Sequence, residues 1–184
     1  MTGKALSPRT VRSRTVAWAG LLAAALTAGL MVYGGWVRAS GSGLGCPDWV
    51  LCKGAVLPEL ERATAIELGH RIFAGVTILA AAVASVVAYR QRHANPLAAR
   101  LLMGALGVML LQAGVGGVVV LTELSSAAVV VHLLLAMTTL ALLTVGSVLS
   151  LGLPPPRFAL LGGASALLAL AGVVAAPRRA QNPR

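Results

Sequence analysis

Apolar residues in this chain come in long unbroken runs. Four stand out, over residues 17–37, 68–89, 101–121 and 129–151. A helix of about 20 residues rises about 30 Å, enough to cross the hydrocarbon of a bilayer. Helices satisfy their own backbone groups in lipid, and the residue-by-residue alternation of barrel strands is missing here. The pattern predicts an all-α integral membrane protein built on a four-helix transmembrane bundle. A fifth run, 158–176, is weaker and rich in Gly and Ala, and is expected to be a fifth, C-terminal transmembrane helix. The expected organisation is a basic tail (1–15), a four-helix membrane domain (16–151) with one long outer loop (38–66), and the fifth helix with a basic tail (152–184). The first run follows Arg9, Arg12 and Arg14, as a signal peptide would. It is too long for a signal core and shows no clear cleavage site, so a retained helix is expected.

Composition agrees with the pattern. The chain is 58% hydrophobic and only 11% charged, about half the charge of a soluble domain. Its net charge of +10 would point to nucleic acid in a soluble protein. No aromatic residues are interleaved with the basic clusters, so no nucleic-acid partner is expected. The distribution of charge says more. Lys4, Arg9, Arg12 and Arg14 precede the first run, Arg90, Arg92 and Arg100 lie between the second and third, and Arg157 follows the fourth. The opposite side carries Arg38, Lys53, Arg62 and Arg71 against Asp48, Glu59, Glu61, Glu67 and Glu123. The positive-inside rule then puts the N-terminus in the cytoplasm of a multi-pass plasma-membrane protein, with loop 38–66 outside. A spanning fifth run would carry Arg178, Arg179 and Arg184 outside, against that rule; its uncharged length still favours a span.

The outer loop begins in the stretch GGWVRASGSGLGCPDWVLC, residues 34–52. Cys46 and Cys52 are six positions apart on the oxidising side of the membrane, and are expected to form a disulfide. Two unpaired residues are the alternative. A zinc site would need two more ligands, and no His or Cys lies nearby. Spacing does not decide between a structural and a redox-active pair.

An internal repeat then brings chemistry. The first run ends YGGWVRAS and the third VGGVVVLT, and each is followed by a run with a histidine near its start, His70 and His132. Two hairpins of like orientation predict a bundle with a pseudo-twofold axis along the membrane normal. The second and fourth helices then face each other, with the two imidazoles at matching depth. Such a pair can ligate a haem iron; two interfacial histidines bonded to carbonyls or water are the alternative. Glu67 lies three residues before His70 on the same face. It can orient an imidazole, handle a proton, or pair with Arg71 or Arg62. Arg38 and Arg71 suit haem propionates or lipid phosphate. Gly34, Gly35, Gly116 and Gly117 let helices pack closely or let a flat macrocycle slot in. Met103, Met109 and Met137 read as packing residues, and His93 as a solvated loop residue.

These motifs resemble the haem A synthase family over about residues 16–151. GGWVRASGSGLGCPDWVLCKG is similar to its first outer loop, IELGHRIFAG to its Glu-x-x-His-Arg helix, and QAGVGGVVVLTELSSAAVVVHLLLA to its third helix, short loop and second histidine helix. The resemblance implies oxidation of the C8 methyl of haem O to a formyl group, giving haem A for terminal oxidases. It implies a haem b cofactor besides the haem O substrate, with haem O synthase and a terminal oxidase as partners. Carried over by position, His70 and His132 are the haem-binding histidines, Glu67 the acidic residue needed for activity, and Cys46 and Cys52 the outer-loop pair. Typical members have eight spans in two homologous halves. One half here carries one histidine pair, so a two-haem reaction implies a homo-oligomer. Gly104 to Val108 and Gly162 to Ala166 offer weak small-residue contacts for it. A non-catalytic b-type cytochrome or haem carrier, and an assembly protein without cofactor, are the competing readings.

Overall fold

The computed structural model describes residues 12–153. The run at 158–176 lies outside them. The described residues form four helices: α1 (Arg14–Ala39), α2 (Arg62–Arg90), α3 (Pro96–Leu121) and α4 (Ser126–Ser150). All four are long and apolar enough to cross a membrane, which makes this a four-helix membrane bundle.

The helices begin ahead of their apolar runs, and side-chain caps set three of the four starts. Ser13 caps α1 by accepting from the Val16 amide (3.3 Å). Asn95 caps α3 by accepting from the Ala98 amide (3.2 Å), with Pro96 at the first helical position, where its missing N–H is harmless. Ser125 caps α4 through the Ala128 amide. α2 starts at Arg62, well before the apolar run, so the loop is shorter than the expected 38–66.

The chain runs up and down around a ring, α1 packing on α2 and α4, and α3 on α2 and α4. α2 and α4 therefore share one diagonal of the bundle. The interior is built from small side chains. Ala17, Ala23, Ala81, Ala84 and Ala105 are fully buried, with Leu102 and Leu143 as the large fillers. Large apolar side chains such as Leu22, Val32, Leu79, Val83 and Leu111 point outward. Small inside and large outside suits a lipid solvent, where close helix approach replaces the hydrophobic effect as the drive for packing. At the end away from the histidines, Ser85 Oγ donates to the Leu102 carbonyl (2.9 Å) and Asn95 Nδ2 to the Leu149 carbonyl (3.0 Å), joining neighbouring helices. Gly104 faces open space.

Candidate functional site

The site lies where α2 and α4 begin and α1 and α3 end. Each histidine rests on a glycine of the preceding helix in its own hairpin. A Cβ on Gly34 would stand 3.1 Å from His70 Cε1, and one on Gly116 would stand 3.3 Å from His132 Cε1. The Gly-Gly pairs thus have a division of labour: the first glycine makes a shelf for an imidazole. The second differs between hairpins. Gly35 meets nothing, whereas a Cβ on Gly117 would overlap the Trp49 indole, 2.5 Å from Cδ2.

His132 is oriented. Its Nδ1 lies 3.1 Å from the Gln112 carbonyl, to which it donates. In the neutral ring this fixes the proton on Nδ1 and leaves the Nε2 lone pair free, the arrangement a metal-binding imidazole needs. His70 packs edge-on against Tyr33, with ring centroids 5.8 Å apart, and its buried Nδ1 has no partner.

Glu67 is 5% exposed, too buried to stand as a charge alone. Of the two arginines named as partners, Arg71 takes it: Nη2 and Nε reach Glu67 Oε1 at 3.1 and 3.3 Å. Arg71 also donates Nη2 to the Cys46 carbonyl (2.8 Å) and Nη1 to the carbonyls of Asp48 and Leu51 (both 2.9 Å). A guanidinium has five N–H donors, and here each has a protein acceptor. Arg71 is therefore committed to Glu67 and the loop, while Arg38 is exposed in the last turn of α1. His93 is exposed in the α2–α3 loop at the far end of the bundle.

The loop itself is a built cap. Cys46 and Cys52 form the expected disulfide, with Cα atoms 4.6 Å apart. Cys52 and Ala55 exchange backbone hydrogen bonds of 3.0 and 3.1 Å. Gly45 presses on the backbone of Ala63, leaving no room for a Cβ, and Thr64 Oγ1 donates to the Gly45 carbonyl (3.1 Å). Gly43 packs on Leu124 of the α3–α4 turn and Trp49 on Gly117. The loop thus starts in one hairpin and reaches over to the other.

Asp48 folds the loop tip by accepting from the amides of Gly54 (2.8 Å) and Lys53 (2.6 Å). The Gly54 amide, with the Lys53 amide beside it, holds the Asp48 carboxyl below the usual carboxylate range. A depressed folded value means the stabilisation is present above the unfolded pKa and is lost as pH falls through the folded one. Amide exchange at Lys53 and Gly54 is therefore expected to stay slow, after correction for intrinsic rates, near pH 5 and to lose its protection on further acidification. Asp48→Asn is expected to lower that protection at neutral pH. Unchanged protection in both tests would rule out this role for the carboxylate.

The structure gathers His70, His132, Glu67 and the Cys46–Cys52 disulfide at one end of the bundle. Sequence reasoning missed Gln112, Tyr33 and Trp49. Gln112 carried a signal, being an amide in the middle of an apolar span; the two aromatics carried none.

A ring of four membrane helices, with a glycine-backed histidine on each of α2 and α4 under a disulfide-closed cap, defines a polytopic membrane protein. Residues 17–176 match the COX15-CtaA family model, described as cytochrome oxidase assembly protein, and the chain belongs to that family. It is 33% identical over 119 residues to a haem A synthase of Symbiobacterium thermophilum, covering 62% of this chain and 39% of the relative. A haem A synthase of Staphylococcus saprophyticus is 30% identical over 125 residues, covering 65% and 40%. One from Geobacillus thermodenitrificans is 36% identical over 97 residues, covering 52% and 31%. The chain thus spans two fifths or less of the length of these relatives. No solved structure matches it.

Proposed function

We propose that this protein binds haem between His70 and His132 and takes part in haem A formation, oxidising the C8 methyl of haem O to a formyl group. The observation that carries the reading is the repeated glycine shelf: Gly34 under His70 and Gly116 under His132. Each imidazole packs where a glycine lacks a side chain, on helices that share a diagonal, an arrangement suited to holding a flat ring between two nitrogen ligands. The donor set also fits the group. His132 is held in the tautomer that frees Nε2, and two neutral imidazoles are a sufficient axial pair for haem iron.

When bound, the haem iron supplies the electron-transfer and oxidation chemistry that amino-acid side chains lack. The rest is work for this chain. His70 and His132 would hold the iron, and Gly34 and Gly116 would let their imidazoles lie flat enough to admit the ring. Arg38, exposed at the same end, is the guanidinium available to a propionate. Glu67 offers a carboxylate three residues from His70, where a proton can be held or released on Oε1 and Oε2. Arg71 keeps that carboxylate aimed and ties it to the loop. The disulfide-closed loop, reaching to Gly117 through Trp49, covers the site and excludes water.

One histidine pair holds one haem. We read the active form as a homo-oligomer in which identical bundles take the haem b and the haem O roles. The excess of basic residues on the loops away from the histidines supports a cytoplasmic N-terminus, and puts the haem near the outer face of the plasma membrane. A second reading is a b-type cytochrome or haem carrier, which needs the same two imidazoles and no reaction. One preparation separates the two. The purified protein is supplied with haem O and reductant, and extracted haems are identified by mass. Haem A supports the synthase; haem b alone supports the cytochrome; a colourless protein rejects both.

A further inference from the structure

The hydroxyls of the bundle interior follow one habit, and Thr139 breaks it. Thr27, Thr77, Ser147 and Ser150 each donate to the carbonyl four residues back in their own helix, at 2.6–2.9 Å. Ser85 donates across to the Leu102 carbonyl. Thr139 is fully buried and its Oγ1 has no partner. The Gln112 side chain is in the same position: 9% exposed, with Oε1 buried and unpartnered. A polar group left unpaired in a low-dielectric interior is costly, so native structures satisfy nearly all of them. Among the described residues the buried side-chain atoms without partners are His70 Nδ1, Gln112 Oε1 and Thr139 Oγ1.

Their placement is informative. Thr139 follows His132 by seven residues, on the same face of α4 and about 10 Å deeper into the bundle. Gln112 precedes Gly116, the shelf under His132, by one turn, about 6 Å deeper. The two groups therefore differ in depth by about 5 Å, Thr139 on the helix that carries His132 and Gln112 on the helix packed beside it. The first hairpin has no counterpart. Leu30 stands where Gln112 does relative to its glycine shelf, and Thr77, seven residues after His70, already donates to the Phe73 carbonyl. The pseudo-twofold symmetry is thus broken: beyond the histidines themselves, the unpartnered buried groups lie on the second hairpin, among the described residues.

We infer that Gln112 and Thr139 form a hydroxyl-recognition subsite below the macrocycle, reading the alcohol on the side chain of haem O. An alcohol matches the two unpartnered atoms. Gln112 Oε1 only accepts, so its partner must donate; Thr139 can donate as well as accept. An alcohol does both at one atom. A vinyl group, which haem b carries at that ring position, does neither, and an ionised propionate cannot donate to Gln112. A site built to bond a hydroxyl discriminates against the analogue lacking it, because its own polar groups then stay unpaired. Gln112 and Thr139 are specificity residues here, distinct from the ligands. The inference rests on the haem reading above.

The test uses haem-free full-length protein in detergent, titrated separately with haem O and haem b and followed by absorption. Wild type is expected to prefer haem O by about tenfold or more. The Gln112→Leu, Thr139→Val double variant is expected to lose most of that preference while keeping its affinity for haem b. The leucine leaves the backbone carbonyl that orients His132 in place. Should the double variant fail to bind haem b, Thr139→Val and Thr139→Ser are compared: valine lowers the preference and serine, which restores the hydroxyl, keeps it. A preference that survives removal of the hydroxyl, or equal wild-type affinities for the two haems, overturns this inference and leaves the haem reading standing. Wild type that binds neither haem overturns both.

Discussion

Either His70→Ala or His132→Ala is expected to abolish the low-spin absorption of haem bound by two histidines. Each imidazole sits against a glycine, and alanine in its place offers the iron no ligand. The loss of affinity should exceed the 10- to 100-fold typical of removing a group that merely orients a metal ligand. The two variants should also differ in what else they lose. His70→Ala removes an edge-on contact with Tyr33, of the order of 0.5–1.5 kcal/mol. His132→Ala frees the Gln112 carbonyl, which keeps its own helical partner. The measurement is the absorption spectrum of each purified variant, with haem quantified against protein. If both keep the wild-type spectrum, the ligand assignment is wrong.

The second large effect is expected at Arg71. Arg71→Met removes donors from the carbonyls of Cys46, Asp48 and Leu51 and strands the carboxylate of Glu67, which is 5% exposed. Breaking a buried ion pair from one side costs about 3–5 kcal/mol, because the remaining charge stays buried. For a chain of this size each kcal/mol moves the melting midpoint by roughly 2–4 °C, so a fall of about 10 °C in detergent is expected. Arg71→Lys should rescue little, since an ammonium offers three donors from one point in place of a planar fork. Adding Glu67→Gln to Arg71→Met should return part of the lost stability by removing the stranded charge. A double-mutant cycle with no coupling between positions 67 and 71 would refute the pairing. The same variants should make the Cys46–Cys52 bond more accessible to a water-soluble reductant, because Arg71 holds the loop that contains it.

Much of this was legible in the sequence, for reasons visible in particular residues. Long apolar runs have one structural solution in lipid, so the four helices followed directly. The cysteines needed only a short loop to meet. The repeat of Gly-Gly and His placed His70 and His132 at matching depth, and the bundle puts their helices on one diagonal as the repeat predicts. Helix ends were less legible. α2 begins at Arg62 and α3 at Pro96, ahead of their apolar runs, because hydropathy marks the hydrocarbon while caps and loop packing mark the helix.

Choice among partners was beyond the sequence. Glu67 had two arginines within reach, and the fold gives it Arg71 because the loop returns over that face of α2. Which glycine of each pair mattered, which aromatic reached across to α3, and which buried hydroxyl stayed unpaired all depend on contacts between residues distant along the chain. By itself the sequence determined what must hold for any packing: membrane helices, their number among the described residues, a pair of histidines near one end, and a cysteine-closed loop. Tertiary structure alone decided how polar groups were satisfied. That is a matter of a few ångströms and of direction, set only once helices from both hairpins are packed against one another.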